Sequence, residues 1–242
     1  MGSVFARGLL RSGHPVVPVT RDTDINSLAN ELPDPLMVLI AVAEADIHNT
    51  LNTLPAPWRD RVALLQNELL PRDWEQFDYK NPTVISVWFE KKKGQDSKVI
   101  IPSPVYGPLA DTLSTALNSI DISSKTLKGF DELVFELMLK NIYIVTTNTC
   151  GLVTGGTVGE LWENNEALAR EVAGEIMAIQ QALTSVKIDN DLMIDQMLLA
   201  FKGDLDHKCM GRSAPGRLQR ALQQAKELGV EVPALERIAA TQ

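Results

Sequence analysis

The spacing of apolar residues changes period along this chain, and the change divides it in two. Residues 3–12 put Phe5, Ala6, Leu9 and Leu10 at helical spacing, with Gly13 placed as a C-terminal stop. Val16-Val17-Pro18-Val19 predicts a short strand ending at Arg21, although Pro18 cannot donate to a sheet ladder. Leu36–Ala43 is a continuous apolar run of strand length, the pattern of a parallel strand covered on both faces. Asp46 opens a helix that Pro55 and Pro57 end, and Arg61–Gln66 is a second buried strand with Asn67 just past it. Val84–Glu90 and Val99–Pro102 predict two further strands joined by a lysine-rich turn, and Pro108–Ser119 is helical again. Strands alternating with helices imply an α/β domain with a mostly parallel sheet.

From about Lys128 the strand pattern stops. Asp131–Cys150 is predicted as a helix apolar almost all round and closed by Gly151. Thr157–Thr184 is an amphipathic helix, followed by helices over Asn190–Leu205 and Gly216–Gly229. The last of these carries an apolar stripe of Leu218, Leu222, Ala225 and Leu228. The expected organisation is therefore an α/β domain over residues 1–127 and an all-helical domain over residues 128–242.

Composition narrows the function classes. A formal charge of −8 argues against a nucleic-acid partner, which needs a clustered basic surface. The run Lys91-Lys92-Lys93 is bracketed by Glu90 and Asp96 and reads as a solvated hairpin tip. Two cysteines, Cys150 and Cys209, and three scattered histidines give no disulfide framework and no metal-ligand spacing, so no metal is expected. No apolar run reaches the roughly 18 residues of a membrane helix, and the N-terminus has no signal-peptide layout. The cytoplasm is the expected location, with no membrane partner.

Five residues carry candidate chemistry. Gly2 stands directly ahead of the first helix, where the third glycine of a G-x-G-x-x-G turn would stand; the strand and the first two glycines of such a turn are not in the chain. Any helix-turn-strand unit would give the same local pattern. Arg21, at the end of the expected second strand, suits a ribose 2′-phosphate and favours NADP over NAD, though a solvated Arg-Asp turn reads the same way. Asn67 lies at the C-terminal edge of the sheet, where it could hold a carboxamide or a substrate carboxylate, or simply make a turn. Lys140 is a lysine inside an apolar helix, so it must be paired or functional. Glu136, four residues before it, is one possible partner. Asn148 follows two turns on, and an ammonium and an amide held together could bind a 2-oxo acid and protonate its forming alkoxide.

Taken together, Gly2, Gly13-His14-x-Val16, Arg21, Gln66-Asn67, Lys140 with Asn148, Gly159-Glu160-Leu161 and Gly229-Val230-Glu231-Val232-Pro233 resemble the ketopantoate reductase family over nearly the whole chain. The resemblance implies a Rossmann-like domain followed by a helical domain, and an NADPH-dependent reduction in a cleft between them, as in pantothenate biosynthesis. It implies Lys140 as the general acid, Asn148 and Asn67 as substrate contacts, and Gly2, Arg21 and Asn67 on the cofactor. It also makes a homodimer an expectation.

The sequence departs from the family at Ile144 (family asparagine), Glu68 (glycine), Gly203 (serine) and Trp88 (small residues). No acidic residue lies within Ser213–Arg217, where the family has a substrate-binding carboxylate. The expected activity is therefore reduction of a 2-oxo acid of unstated identity, with weak NADP binding by the chain as it stands. The alternative is a catalytically silent relative acting as a binding or structural oligomeric protein. An upstream start, supplying the strand and the glycines, is a third expectation.

Overall fold

The computed structural model describes residues 1–91 and 94–242, so Lys92 and Lys93 of the expected hairpin tip lie outside the described residues. The chain divides into two compact units, Met1–Glu136 and Leu137–Gln242.

The first unit contains helices α1 (Gly2–Arg11), α2 (Ile25–Glu31), α3 (Ile47–Thr53), α4 (Arg72–Glu75) and α5 (Ala110–Asn118). Its strands are β1 (Val38–Ile40), β2 (Val62–Leu64), β3 (Thr83–Ile85), β4 (Phe89–Glu90), β5 (Lys98–Val99), β6 (Ser103–Tyr106) and β7 (Ser124–Thr126). Among the described residues, β1-β2-β3-β6-β7 form one sheet, parallel except between β3 and β6, and β4 with β5 form an antiparallel hairpin. Every residue of β2 and β3 is buried, as the continuous apolar runs require of strands covered on both faces. Phe5 of α1 and Leu113 and Leu117 of α5 share one apolar cluster with Ala63, Ile85 and Val105 of the sheet.

Two glycines allow the close packing of α1. A Cβ on Gly8 would lie 2.4 Å from the backbone oxygen of Ala116 in α5, and one on Gly2 would lie 3.3 Å from the Cβ of Ala41 just past β1.

Several sequence expectations need correction in this unit. Val16–Val19 forms no strand: His14–Thr20 has no regular structure, and Val17 and Val19 are 54% and 47% exposed. Pro15 and Pro18 remove two ladder donors from so short a segment, which defeats pairing. Val84–Glu90 is not one strand but two, β3 and β4, interrupted where the Trp88 amide donates to Ser103 Oγ at 2.9 Å. The helix α2 was not expected, although Asp24 caps it by accepting from the amides of Asn26 and Ser27. Gly13 does end α1, at φ +90°.

The second unit is built on α6 (Phe130–Thr154, which begins in the first unit), α7 (Val158–Thr184), α8 (Asn190–Gly203), α9 (Ala214–Leu228) and α10 (Pro233–Ala239). After Thr126 the described residues contain no strand, only one isolated bridge between Thr157 and Lys208. The α6 helix does not stop at Gly151 as expected. It continues to Thr154, and the stop is made by Gly155 and Gly156 at φ +65° and +71°. Thr157 and Glu160 then form a reciprocal capping box that starts α7. Gly151 instead permits a close approach. A Cβ there would meet the Cβ of Cys209 at 2.8 Å, so glycine lets the Cys209-Met210 segment lie against α6. Glu175 of α7 accepts from the amides of Ala234 and Leu235 and so caps α10. No helix among the described residues is long and apolar enough to cross a membrane.

Candidate functional site

In the first unit the chemistry gathers at the C-terminal ends of β1 and β2, the edge where open α/β sheets bind ligands. Gln66 is buried there and its side-chain amide donates to the carbonyls of Ile40, at 2.9 Å, and Val42, at 3.3 Å. It thereby joins the two strand ends beyond their last ladder bond. Asn67, half-buried, donates to Glu44 Oε1 at 3.1 Å. Gly2 begins α1 beside the end of β1, the close helix–strand approach that a third turn glycine permits. Arg21 lies on an exposed turn closed by Thr20 and Thr23, and not at a strand end, because the segment before it is not a strand.

In the second unit the chemistry gathers on α6 and α9. Lys140 is 5% exposed, and its ammonium lies 5.5 Å from the centre of the Tyr143 ring. Burial lowers its pKa from 10.5 to about 7, and the positive charge of Arg217 acts in the same direction. Glu136, the possible partner read from the sequence, instead accepts Lys125 Nζ at 2.6 Å. A buried amine that titrates near neutrality can hold a proton and release it at physiological pH.

Asn148 is buried, and both ends of its amide are committed. Its Nδ2 donates to the Cys209 carbonyl at 2.9 Å, and its Oδ1 accepts Arg217 Nη1 at 2.8 Å. Two protein partners make Asn148 a residue that holds Arg217 and the Cys209 segment in place. Arg217 is a buried polar residue that the sequence reading did not single out as a candidate. It is 7% exposed, on the α9 face shared by Ala214, Leu218, Ala221 and Ala225. The signal was available: those five positions fall at one helical spacing, so the arginine sits in the middle of the apolar face.

The two cysteines are free and buried. Burial first, and then the neighbouring Cys209, pushes the Cys150 thiol up to about 12; burial first, and then Glu160, pushes Cys209 up to about 11. Thiols held protonated are poor nucleophiles. Both cysteines should therefore resist iodoacetamide at pH 8 in the folded protein and react once guanidinium unfolds it. Mass spectrometry of the alkylated chain reads this directly, and rapid labelling of either thiol in the native state would contradict it.

No protein-family model matches the chain, and comparison with curated proteins returns no match. Comparison with solved structures does. The 2-dehydropantoate 2-reductase from Methylococcus capsulatus superimposes with a TM-score of 0.68 at 15% identity, covering 99% of this chain and 92% of that one. The chain has the ketopantoate reductase fold. The 2-dehydropantoate 2-reductase from Geobacter metallireducens GS-15 matches equally well, with a TM-score of 0.68 at 13% identity over 99% of this chain and 94% of that one. A D-mandelate dehydrogenase in complex with NADH matches with a TM-score of 0.63 at 13% identity, over 99% and 93% of the two chains.

Proposed function

We propose that the protein is an NADPH-dependent reductase of a small 2-oxo acid. The observation that carries this reading is Lys140, a lysine only 5% exposed on α6, whose pKa burial brings down to about 7. The fold likeness to 2-dehydropantoate 2-reductases and to a dehydrogenase holding NADH supports it.

The residues present are compatible with a nicotinamide cofactor in one respect that the structure displays. Gly2 brings the first turn of α1 so close to the end of β1 that a side chain there would press on Ala41. In this reading Gly2 and Asn67 lie along the cofactor, and Arg21 meets the 2′-phosphate from its exposed turn. The bound cofactor supplies a hydride. The chain's own residues do the rest: Lys140 gives its proton to the substrate oxygen as that oxygen gains negative charge. Asn148 acts by holding Arg217.

One observation favours the second reading, a catalytically silent binding or structural protein. The Asn148 amide, expected to face a substrate, is engaged at both ends by the protein itself.

The test is loss of NADPH absorbance with a panel of small 2-oxo acids, run alongside NADH. Turnover with at least one acid, faster with NADPH and reduced by Arg21→Glu, is expected. If no acid is turned over and calorimetry finds no NADPH binding, the silent reading replaces the reductase one.

A further inference from the structure

A row of aromatic rings runs through the second unit and ends on Lys140. The lysine and Tyr143 stand three residues apart on α6, so their side chains share a face, and the ammonium lies 5.5 Å from the centre of the Tyr143 ring. Phe201 of α8 meets that ring edge-on, with centres 5.6 Å apart and planes at 67°. Trp162 of α7 meets Phe201 in the same manner, at 6.2 Å and 73°. At the outer end of the row the Arg170 guanidinium lies 4.9 Å from the centre of the Trp162 ring, and Glu166 holds it by an ion pair at 2.8 Å. Tyr143 and Phe201 are both buried, and in a close-packed interior Phe201 leaves the Tyr143 ring little room to turn.

The face of an aromatic ring is negative, so it favours an ammonium over a neutral amine. That preference opposes burial and the charge of Arg217 on α9, which both act against the charged form of Lys140. His207, whose ring centre is 6.5 Å from that of Tyr143, also faces this ring, with the Asp204 carboxylate 3.9 Å from its Nδ1. Lys140 and Tyr143 make further contacts as well, and the ring acts in addition to them.

We propose that Tyr143 and Phe201 are positioning residues for Lys140: Phe201 holds the Tyr143 ring beside the ammonium, and the ring favours the charged form of the amine in that one place. This deepens the reductase reading and rests on it for what the proton does. The effect on the amine itself is measured without turnover.

The experiment is an NMR pH titration of the full chain carrying lysine labelled with carbon-13 at Cε, the Lys140 signal being the one missing from Lys140→Met. Tyr143→Leu removes the ring and is expected to move the Lys140 midpoint about one pH unit lower, the worth of a cation over a ring away from water. Tyr143→Phe keeps the ring and should leave the midpoint within about 0.3 pH units of the wild-type value. Phe201→Leu keeps the Tyr143 ring but frees it, and should give a shift of the same sign and roughly half the size. A merely structural role for either residue would lower the melting temperature and leave the midpoint where it was. An unmoved midpoint in folded Tyr143→Leu overturns the proposal, as does an equal shift in Tyr143→Phe and Tyr143→Leu. Should Tyr143→Leu fail to fold, Phe201→Leu decides alone, and an unmoved midpoint there overturns the proposal equally. Midpoints that follow the ring, with no turnover of any 2-oxo acid, would leave the positioning role standing and remove the reductase reading.

Discussion

Replacing Lys140 by methionine is expected to lower turnover by a factor on the order of 10² to 10⁴, the usual worth of a positioned general acid. Methionine fills a similar volume and removes the pH-dependent cost of burying the charge. The pH dependence separates the two effects. The folded pKa of Lys140, about 7, lies below the ordinary 10.5, so between these values the unfolded chain binds more protons than the folded one. The stability linked to this group is fully present above about 10.5 and is lost as the pH falls through about 7. Catalysis runs the other way, because the proton donor disappears as the pH rises through the same value. Denaturation midpoints from pH 6 to 9 should rise more in the wild-type protein than in Lys140→Met, while wild-type turnover falls on the alkaline side. A variant that retains full turnover would remove Lys140 from the chemistry. One that collapses at neutral pH would make the lysine a structural element.

A second large effect is expected at Gly8. An alanine Cβ there would sit 2.4 Å from a backbone oxygen of α5, which cannot swing aside as a side-chain end could. Separating α1 from α5 opens the apolar cluster around Phe5 and Leu113. The cost should be about 1–3 kcal/mol, as for other overpacked positions, exceeding what alanine gains in helix propensity. Gly174, in the interior of α7, is the control: a Cβ there meets nothing within 4 Å. Gly174→Ala should instead stabilise, by up to about 1 kcal/mol. Thermal melts followed by circular dichroism should move in opposite directions for the two variants. A rise in both melting temperatures would show that helix propensity, not crowding, governs both sites.

Much of the fold was legible because burial leaves a periodic mark. The apolar runs in β1 and β2 and the apolar stretch of α6 marked the sheet and a buried helix, and the lysine set in that stretch, Lys140, is itself buried. What stayed hidden left no such mark. The segment Ser124-Lys125-Thr126 of β7 is polar and mostly exposed, and only its pairing with β6 makes it a strand. Proline at 104 disguised β6, which still pairs on both sides. Val16–Val19 erred the other way, being apolar without being buried. Gly151 looked like a helix stop because glycine has two uses, and the sequence does not distinguish a positive φ from a close approach. Arg217 was overlooked because a charge on an amphipathic helix is ordinarily solvated. Its place among Ala214, Leu218 and Ala221 became meaningful only once its guanidinium was found on Asn148.

The Gln66 amide, with its two carbonyl acceptors on the neighbouring strand segment, also acts as an alignment key. Sliding β1 by a single residue against β2 would turn its side chains to the opposite face and carry both acceptors away from the amide hydrogens. Short three-residue strands have few ladder bonds with which to resist such slippage. A side chain that recognises one alignment only lets this edge of the sheet keep a single arrangement.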